Sequence, residues 1–469
     1  MKRRATPRSR TLWSQPANGG ADALMLAYTV GDDRHWDARL LPWDVLGSLG
    51  HVEGLRRSGL ISASDHRVLR AGLRAGLRAA RRGALRIGQH QEDAHSAVEQ
   101  WLTKRVGRAG ERLHTGRSRN DQIACDLRLY LKATLLEIHD AAAALALALV
   151  GFAARHRDAV WPGYTHQRRA MPSSAGLWAA AFAEGISDTL ESLPALWARV
   201  DRCPLGSAAG YGVPLPLQRK VAARALGFAV PEHNVAAVQN GRGKLEAAVL
   251  AWCAELGHEA GKLATDAVLY SGEEYGLLLL PRALATGSSL MPHKRNPDMF
   301  ELTRARAAAL DTDLVAVLSL KAKLGSGYHR DFQLLKEPLL RGLDRTREML
   351  AMLAAAVPQL GVDRARGAAL LAGDALATDE VLRRAEAGEP FRSAYRAVAA
   401  ELARGDKVPP LSAPALLARR KSPGALGNLD LDAVRKRLRA CRRWSARAGR
   451  LQRSALTRLA GAEAGAIAP

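Results

Sequence analysis

Cysteine and aromatic residues are scarce in this sequence of 469 residues, with four cysteines and 5% aromatics. No two cysteines form a Cys-x-x-Cys pair, so the sequence predicts neither a zinc site nor a disulfide framework and favours a reduced, cytoplasmic protein. Long apolar runs are also missing. The longest, residues 141–154, is bounded by Asp140 and Arg155 and falls short of the ~20 residues that a membrane-spanning helix requires. It predicts a buried helix of a soluble protein with no membrane partner.

Acidic residues are outnumbered: 46 Asp and Glu face 69 Lys and Arg, of which 56 are arginine, giving a net charge of +23. This excess is compatible with polyanion binding, with an anionic substrate, or with a compositional bias toward arginine. The first ten residues are Arg-rich and acid-free, as in some transit peptides, but no amphipathic continuation follows, so we expect a disordered start. Hydrophobic residues make up 48% of the chain, which excludes a wholly disordered protein.

Helical periodicity dominates what remains, and strand-like alternation is rare. Long Ala/Leu-rich patterns predict helices over residues 126–156, 174–200, 244–271 and 298–323. Helices of this length are rods of about 40 Å, suited to an extended bundle that packs against copies of itself. The sequence therefore predicts an all-α oligomer with three domains, at 1–113, 114–362 and 363–469. The arginine run within 435–443 fits a solvated helix face.

The most distinctive segment is residues 287–297, Gly-Ser-Ser-Leu-Met-Pro-His-Lys-Arg-Asn-Pro, which leads into the predicted helix at Asp298. Free backbone N–H groups, Lys294 and Arg295 beside a helix N-terminus are suited to holding a carboxylate or phosphate. A lone Gly-Ser-Ser would be a plain connection. Eleven ordered residues of this kind favour an anion-handling loop.

Two further segments carry polar groups next to predicted helices. Residues 114–122, His-Thr-Gly-Arg-Ser-Arg-Asn-Asp-Gln, offer arginine forks for carboxylates, although a simple N-capping loop with solvated arginines is an equal alternative. Residues 163–172 include Thr165 and His166 at a predicted loop-to-helix junction, where an acid–base group would be reachable.

Two weaker candidates complete the set. Residues 327–337 provide Tyr328, Gln333 and Lys336, of which the last two share a helical face. Residues 91–99 place Glu92, His95 and Glu99 on one helical stripe, for which metal binding is an alternative to the favoured solvated stripe. The sequence contains neither a Gly-rich dinucleotide fingerprint nor a P-loop. The pattern points to metal-free, cofactor-free proton transfer on a small substrate with several carboxylates.

Together these segments resemble the fumarase/aspartase superfamily and, within it, the argininosuccinate lyase family. Residues 287–297 match its loop GSSxMPxKxNP, 114–122 match HTGRSRNDQ, 163–172 resemble GYTHLQRAxP with Gln167-Arg168 replacing Leu-Gln, and 328–337 match YxxDxQxxKE. The resemblance runs from about Trp43 to beyond Asn428, with the motifs in the family's order.

The resemblance implies reversible anti elimination of argininosuccinate to arginine and fumarate, without metal or organic cofactor, by a cytoplasmic homotetramer whose active sites are shared between subunits. It implies Ser288 as general base and His166, oriented by Glu301, as a group assisting protonation of the departing nitrogen. Lys294 and Asn296 would stabilise the developing negative charge. The implied substrate-binding residues are His114, Arg117, Ser118, Arg119, Asn120, Thr165, Asn296, Tyr328, Gln333 and Lys336.

Three segments depart from the family pattern. The family's early Asn-Ala-Ser is replaced near residues 31–33, its Asn-Ser-x-Asp segment is changed at 234–243, where Asn234 and Arg242 are kept, and an acidic residue becomes Gln218. These changes are compatible with the same activity or with a shifted amine. Three alternatives stay open: a sister lyase releasing fumarate from another substituted succinate, an inactive structural protein on the same fold, and a polyanion binder.

Overall fold

A computed structural model describes residues 23–371, 373–462 and 464, so the predicted disordered start lies outside the described residues. The α-helices of this part of the chain are α1 (Ala23–Val30), α2 (Asp33–Arg57), α3 (Ala63–Arg81), α4 (Ala94–Val106), α5 (Arg119–Arg155), α6 (Ala175–Val200), α7 (Arg219–Ala225), α8 (Val235–Asn240), α9 (Lys244–Ser271), α10 (Asp298–Lys321), α11 (Lys336–Ala356), α12 (Arg364–Leu370), α13 (Ala377–Glu386), α14 (Phe391–Ala403), α15 (Ala413–Arg419) and α16 (Leu431–Ala460). The strands are β1 (Val160–Thr165), β2 (Arg168–Ser174), β3 (Arg202–Cys203), β4 (Val230–Pro231), β5 (Leu278–Leu279) and β6 (Gly361–Val362). Short 3₁₀ segments lie at Gly107–Arg112, Arg282–Leu284, Arg330–Leu335, Val357–Gln359 and Gly373–Leu376.

Five long helices, α5, α6, α9, α10 and α11, form the central bundle that the periodicity predicts. The bounds of α9 and the first residue of α10 agree with the prediction. Helix α5 begins at Arg119, seven residues before the predicted 126, because the Ser118 hydroxyl and the Asp121 carboxylate form a capping box around its first turn. The all-α prediction is confirmed.

Helix α5 is the one helix of the described residues that is long and apolar enough to cross a membrane by length and composition. It packs against α2, α6, α11 and α16, and 56% of its most apolar window is buried inside this single chain. The run at 141–154 is therefore part of a core helix, as predicted. All four cysteines are buried and free.

The strands of the described part pair as three two-stranded sheets, β1–β2 and β5–β6 antiparallel and β3–β4 parallel. The β1–β2 hairpin corrects the prediction that Thr165 and His166 lie at a loop-to-helix junction. His166 and Gln167 are instead the two residues of the hairpin turn, both with positive φ. The Gly-Tyr-Thr-His pattern did not show this because its strands lack simple polar–apolar alternation.

The basic run near the C-terminus lies on α16, which packs against α5 and α6. Val434, Leu438 and Cys441 face the core, while Arg442 and Arg443 are exposed. The prediction of a solvated helix face is therefore confirmed for Arg442 and Arg443, whereas Arg437 is half-buried and pairs with Glu191 of α6 at 2.8 Å.

Candidate active site

A polar cavity of about 140 Å³ gathers side chains from several segments between residues 33 and 336. Five of the sequence-predicted groups line it: Arg119 and Asn120 at the start of α5, Tyr328 and Gln333 from the segment before α11, and Lys336. The other charged residues of its wall are Asp33, Asp37, Asp93, His95, Arg242 and Arg330. The sequence indicated His95 only as an alternative metal ligand, and substrate binding was predicted for none of these six.

Lys336, the first residue of α11, is 4% exposed and lies between two carboxylates of α2. Its Nζ is 2.5 Å from an oxygen of Asp37 and also contacts Asp33. Burial alone would lower the pKa of Lys336, but Asp37 and Asp33 raise it above its ordinary value, so the ammonium group stays charged. Burial in turn raises the pKa of Asp33 to about 6, with Lys336 opposing and Asp37 adding to the rise.

The corner between α1 and α2 is bound to the cavity wall. The side-chain amide of Gln333 donates to the carbonyl oxygens of Thr29 and Val30, at 2.9 and 3.0 Å, and Arg330 donates to Thr29 at 2.9 Å. These bonds fix the backbone just before Asp33 and so place its side chain in the cavity.

The segment 114–122 divides into residues that line the cavity and residues that do not. Arg119 lines it and pairs with Glu92 at 3.0 Å and Asp93 at 3.1 Å. Arg117 is instead buried and donates to Ser48, and Ser118 serves as the N-cap of α5. The interpretation of residues 114–122 as an N-capping loop is therefore confirmed for Ser118. The solvated arginines that it also predicts are wrong for Arg117.

His114 lies outside the cavity wall, with its Nδ1 4.0 Å from Glu99. Burial lowers its pKa to about 4, with Arg117 adding to the effect, so its imidazole is neutral at neutral pH. Its predicted role in substrate binding stays a prediction.

The solvated stripe predicted for Glu92, His95 and Glu99 is wrong, because His95 is buried. Its Nδ1 forms a hydrogen bond with Asp44 and lies 3.7 Å from Asp126. The ring nitrogen of His95 and one carboxylate oxygen each of Asp44 and Asp126 lie within 4.8 Å of one another, a spacing that would suit a cation. Burial opposes protonation of His95, but Asp44 and its neighbours raise the pKa to about 10. His95 and Asp44 therefore form a buried ion pair.

The loop at 287–297 is closed at its base and exposed at its tip. Backbone hydrogen bonds of 2.9 and 3.1 Å join Thr286 and Asn296, and the Asn296 amide donates to the carbonyl of Gly287. The Ser288 hydroxyl oxygen accepts backbone N–H bonds from Leu290 at 3.3 Å and Met291 at 3.0 Å.

The remaining predicted catalytic groups, and the predicted binding residue Thr165, lie apart from the cavity in this single chain. Lys294, Thr165 and His166 are exposed, and Glu301, in the first turn of α10, has an exposed side chain 3.7 Å from Arg304. Within the described part of one chain, His166 and Glu301 form no hydrogen bond or ion pair with each other. The orientation of His166 by Glu301 stays a prediction.

The segments that depart from the family pattern differ in their relation to the cavity. Asp33 lies in it, whereas Gln218 precedes α7 and is exposed. The altered segment 234–243 forms α8 and brings Arg242 to the cavity, where its guanidinium pairs with Glu246 at 2.8 Å and lies over the Phe332 ring.

A bundle of long helices, a Gly-Ser-Ser loop leading into one of them and a cavity rich in carboxylate binders define a lyase of the fumarase/aspartase superfamily. The family model described as "Lyase" matches residues 43–310. A protein from Sorangium cellulosum named argininosuccinate lyase is 45% identical over 427 residues, covering 91% of this chain and 98% of that one. One from Parabacteroides distasonis with the same name is 37% identical, covering 92% and 95%. The chain belongs to the argininosuccinate lyase family.

The fold agrees with this assignment. The solved structure of an EDDS lyase variant with bound fumarate superposes with a TM-score of 0.80 at 24% identity, covering 95% of this chain and 96% of that chain. At this level of identity the likeness concerns the fold alone.

Proposed function

We propose that the chain catalyses the reversible elimination of argininosuccinate to arginine and fumarate. The carrying observation is the cavity, which brings Asn120, Tyr328, Gln333 and Lys336 together although more than 200 positions separate the first from the others in the chain. Amide, phenol and ammonium groups in one polar cavity suit the carboxylate and ammonium ends of an amino acid. The named activity of the relatives supports the same reaction.

In this proposal Ser288 is the general base that removes the proton next to a succinyl carboxylate. A free hydroxyl is a weak base, and what it needs is stabilisation of its alkoxide. Two backbone N–H groups already point at its oxygen, and such bonds favour the charged form. Lys294 and Asn296 then stabilise the aci-carboxylate that grows as the proton leaves. His166 assists protonation of the departing guanidino nitrogen, with Glu301 as its orienting partner.

We further propose that the site is completed by other subunits of a homotetramer. In one chain the loop tip and the hairpin turn are exposed, away from the cavity wall. Helix α10, which carries the loop, also exposes Leu302, Val315 and Leu318, at 59%, 57% and 41%. Exposed apolar side chains along a central helix of a bundle are typical of a surface that binds another copy.

The proposed activity is tested by following fumarate absorbance with argininosuccinate, adenylosuccinate, aspartate and other substituted succinates. We expect turnover of argininosuccinate. Turnover of another member of the panel alone would instead identify a sister lyase. Ser288→Ala should abolish turnover and leave the circular dichroism spectrum and the assembly unchanged, while the matched control Ser289→Ala retains activity. Full activity of Ser288→Ala would exclude that serine as the base.

Sharing of the site between subunits is tested by mixing two inactive variants. Ser288→Ala and Lys336→Ala are co-expressed with different affinity tags, and the doubly tagged tetramers are assayed. If the loop and the cavity of one site come from different chains, random mixing at equal amounts restores about a quarter of the wild-type activity. If each chain supplied a whole site, the mixed tetramers would stay inactive.

A further inference from the structure

The carboxylates around the cavity differ in how firmly the fold binds them. Arg119 pairs with Glu92 and Asp93, and Arg242 pairs with Glu246. Lys336 is the partner of both Asp33 and Asp37, so one of these two carboxylates is not balanced by it.

Asp37 is the carboxylate with a structural role. It is 2% exposed, its second oxygen accepts the backbone N–H of Ala94 at 3.2 Å, and its first oxygen binds Lys336. Those contacts connect α2, α4 and α11, and they neutralise the lysine without any help from a second acid.

Asp33 is the carboxylate that the fold binds less firmly. Its side chain is 12% exposed, at the first residue of α2, and the corner held by Gln333 and Arg330 directs it to the cavity. Arg330 faces it across the cavity wall, but the guanidinium donates its hydrogen bond to the carbonyl of Thr29. Among the described residues Asp33 forms an ion pair with Lys336 alone, and it shares that lysine with Asp37. A second carboxylate on a shared lysine is stabilised when a further cation approaches it, so Asp33 is open to a cationic group of a ligand.

We propose that Asp33 binds the ammonium group of the amine that is released from, or added to, the four-carbon product, and so sets which amines this enzyme accepts. The inference rests on the proposed function, and for arginine the group is the α-ammonium. A carboxylate repels the α-carboxylate of the same amine, which is thereby directed to Asn120, Tyr328 and Arg330 on the rest of the wall.

The test uses the reverse reaction, in which an amine adds to fumarate and absorbance falls. Three amines are compared: arginine, 5-guanidinopentanoate, which lacks the α-ammonium, and agmatine, which lacks the α-carboxylate. We expect Asp33→Asn to lower kcat/KM for arginine by about tenfold or more, chiefly through KM, because a charge-assisted contact is lost. The preference for arginine over 5-guanidinopentanoate should fall by a similar factor.

The matched control is Asp32→Asn, which removes the same charge from an exposed neighbour that does not line the cavity. It should leave the preference unchanged. Asp33→Ser provides a second variant of smaller size, and each protein is checked by circular dichroism. An unchanged preference in both folded Asp33 variants would overturn the proposal, as would an equal loss for arginine and 5-guanidinopentanoate, which would place the guanidinium at Asp33.

A binding measurement separates this inference from the proposed function. The rise in Tm with amine concentration reports binding without turnover. If the wild-type protein does not turn over arginine or argininosuccinate, yet arginine and agmatine raise its Tm more than that of Asp33→Asn, the proposed function fails and the role of Asp33 stands. If arginine is turned over, and substitution of Asp33 changes neither the amine preference nor the rise in Tm, the proposed function stands and the role of Asp33 fails.

Discussion

The ammonium nitrogen of Lys336 and a carboxylate oxygen of Asp37 are 2.5 Å apart, although 299 positions separate the two residues in the chain. Both side chains are almost completely buried. This pair joins the first long helix to the start of α11 and forms the floor of the cavity. The pair forms only when α2 and α11 pack together, so the site depends on contacts between distant parts of the chain.

Removal of the Lys336 charge should therefore affect stability as well as activity. In Lys336→Met the carboxylates of Asp33 and Asp37 lose their shared cation, and we expect the free energy of unfolding to fall by about 3 kcal/mol. Urea denaturation followed by circular dichroism measures this change. Lys323→Met, at an exposed position before the segment 327–337, should change it by less than about 0.5 kcal/mol. Equal effects of the two substitutions would contradict the buried ion pair.

Amine binding should weaken in mild acid. The pKa of Asp33 is raised to about 6, chiefly by burial, with Lys336, Asp37 and Arg330 as the charged groups that face it. Below that pH the carboxylate becomes neutral, so KM for arginine should rise about tenfold for each further pH unit. Asp33→Asn should remove this dependence. A KM that is independent of pH between 7 and 5 in the wild-type protein would contradict it.

The raised pKa of Asp33 affects the stability of the fold in the opposite direction: acid weakens amine binding but favours the folded state at this group. Because the folded-state pKa of Asp33 is above the unfolded value, protonation of this group favours the folded state. Its contribution to stability grows as pH falls from about 6 toward 4. Loss of amine binding between pH 6 and 4 is therefore not a consequence of unfolding caused by Asp33. Thermal denaturation of the wild-type protein and of Asp33→Asn at pH 5 and 7 measures this contribution to stability.

His95 should be a strong determinant of stability. In His95→Leu the buried carboxylate of Asp44 loses its cation, and we expect a loss of about 3 kcal/mol in the free energy of unfolding. Since the pKa of His95 is raised to about 10, its contribution is complete below pH 6.5 and disappears as pH rises through 10. The exposed His90 offers the matched control His90→Leu. A wild-type stability that did not decline in alkaline solution relative to His95→Leu would contradict this assignment.

Charge placed on the outer side of α10 should separate the subunits. We expect the double substitution Val315→Asp with Leu318→Asp to yield smaller assemblies in multi-angle light scattering and to lower turnover by about 100-fold, because the shared site is dismantled. The circular dichroism spectrum of the chain should change little. A fully active monomer would contradict the shared site.

The sequence predicted the long helices well and the cavity only in part. Ala/Leu periodicity and clear breakers set the bounds of α9 and the start of α10. Asn120, Tyr328, Gln333 and Lys336 were found through motifs, because their order in the chain is distinctive. Asp37 belonged to no motif, and His95 was placed on a helical stripe with Glu92 and Glu99 that was interpreted as solvated. Their importance comes from burial beside partners distant in sequence, Lys336 for one and Asp44 for the other, and charge alone does not reveal burial. The hairpin at Thr165 was missed because short strands without alternation resemble loops.

The turn of that hairpin departs from the usual backbone preference of its residues. His166 and Gln167 have φ values of 52° and 57°, a region in which glycine is favoured and asparagine, aspartate and histidine are enriched among the other residues. Glutamine has no such enrichment, and a residue held in this region costs the folded state about 1 kcal/mol relative to glycine. Replacement of both residues by Asn-Gly should therefore make the turn more stable, and under the proposed role of His166 it should lower turnover.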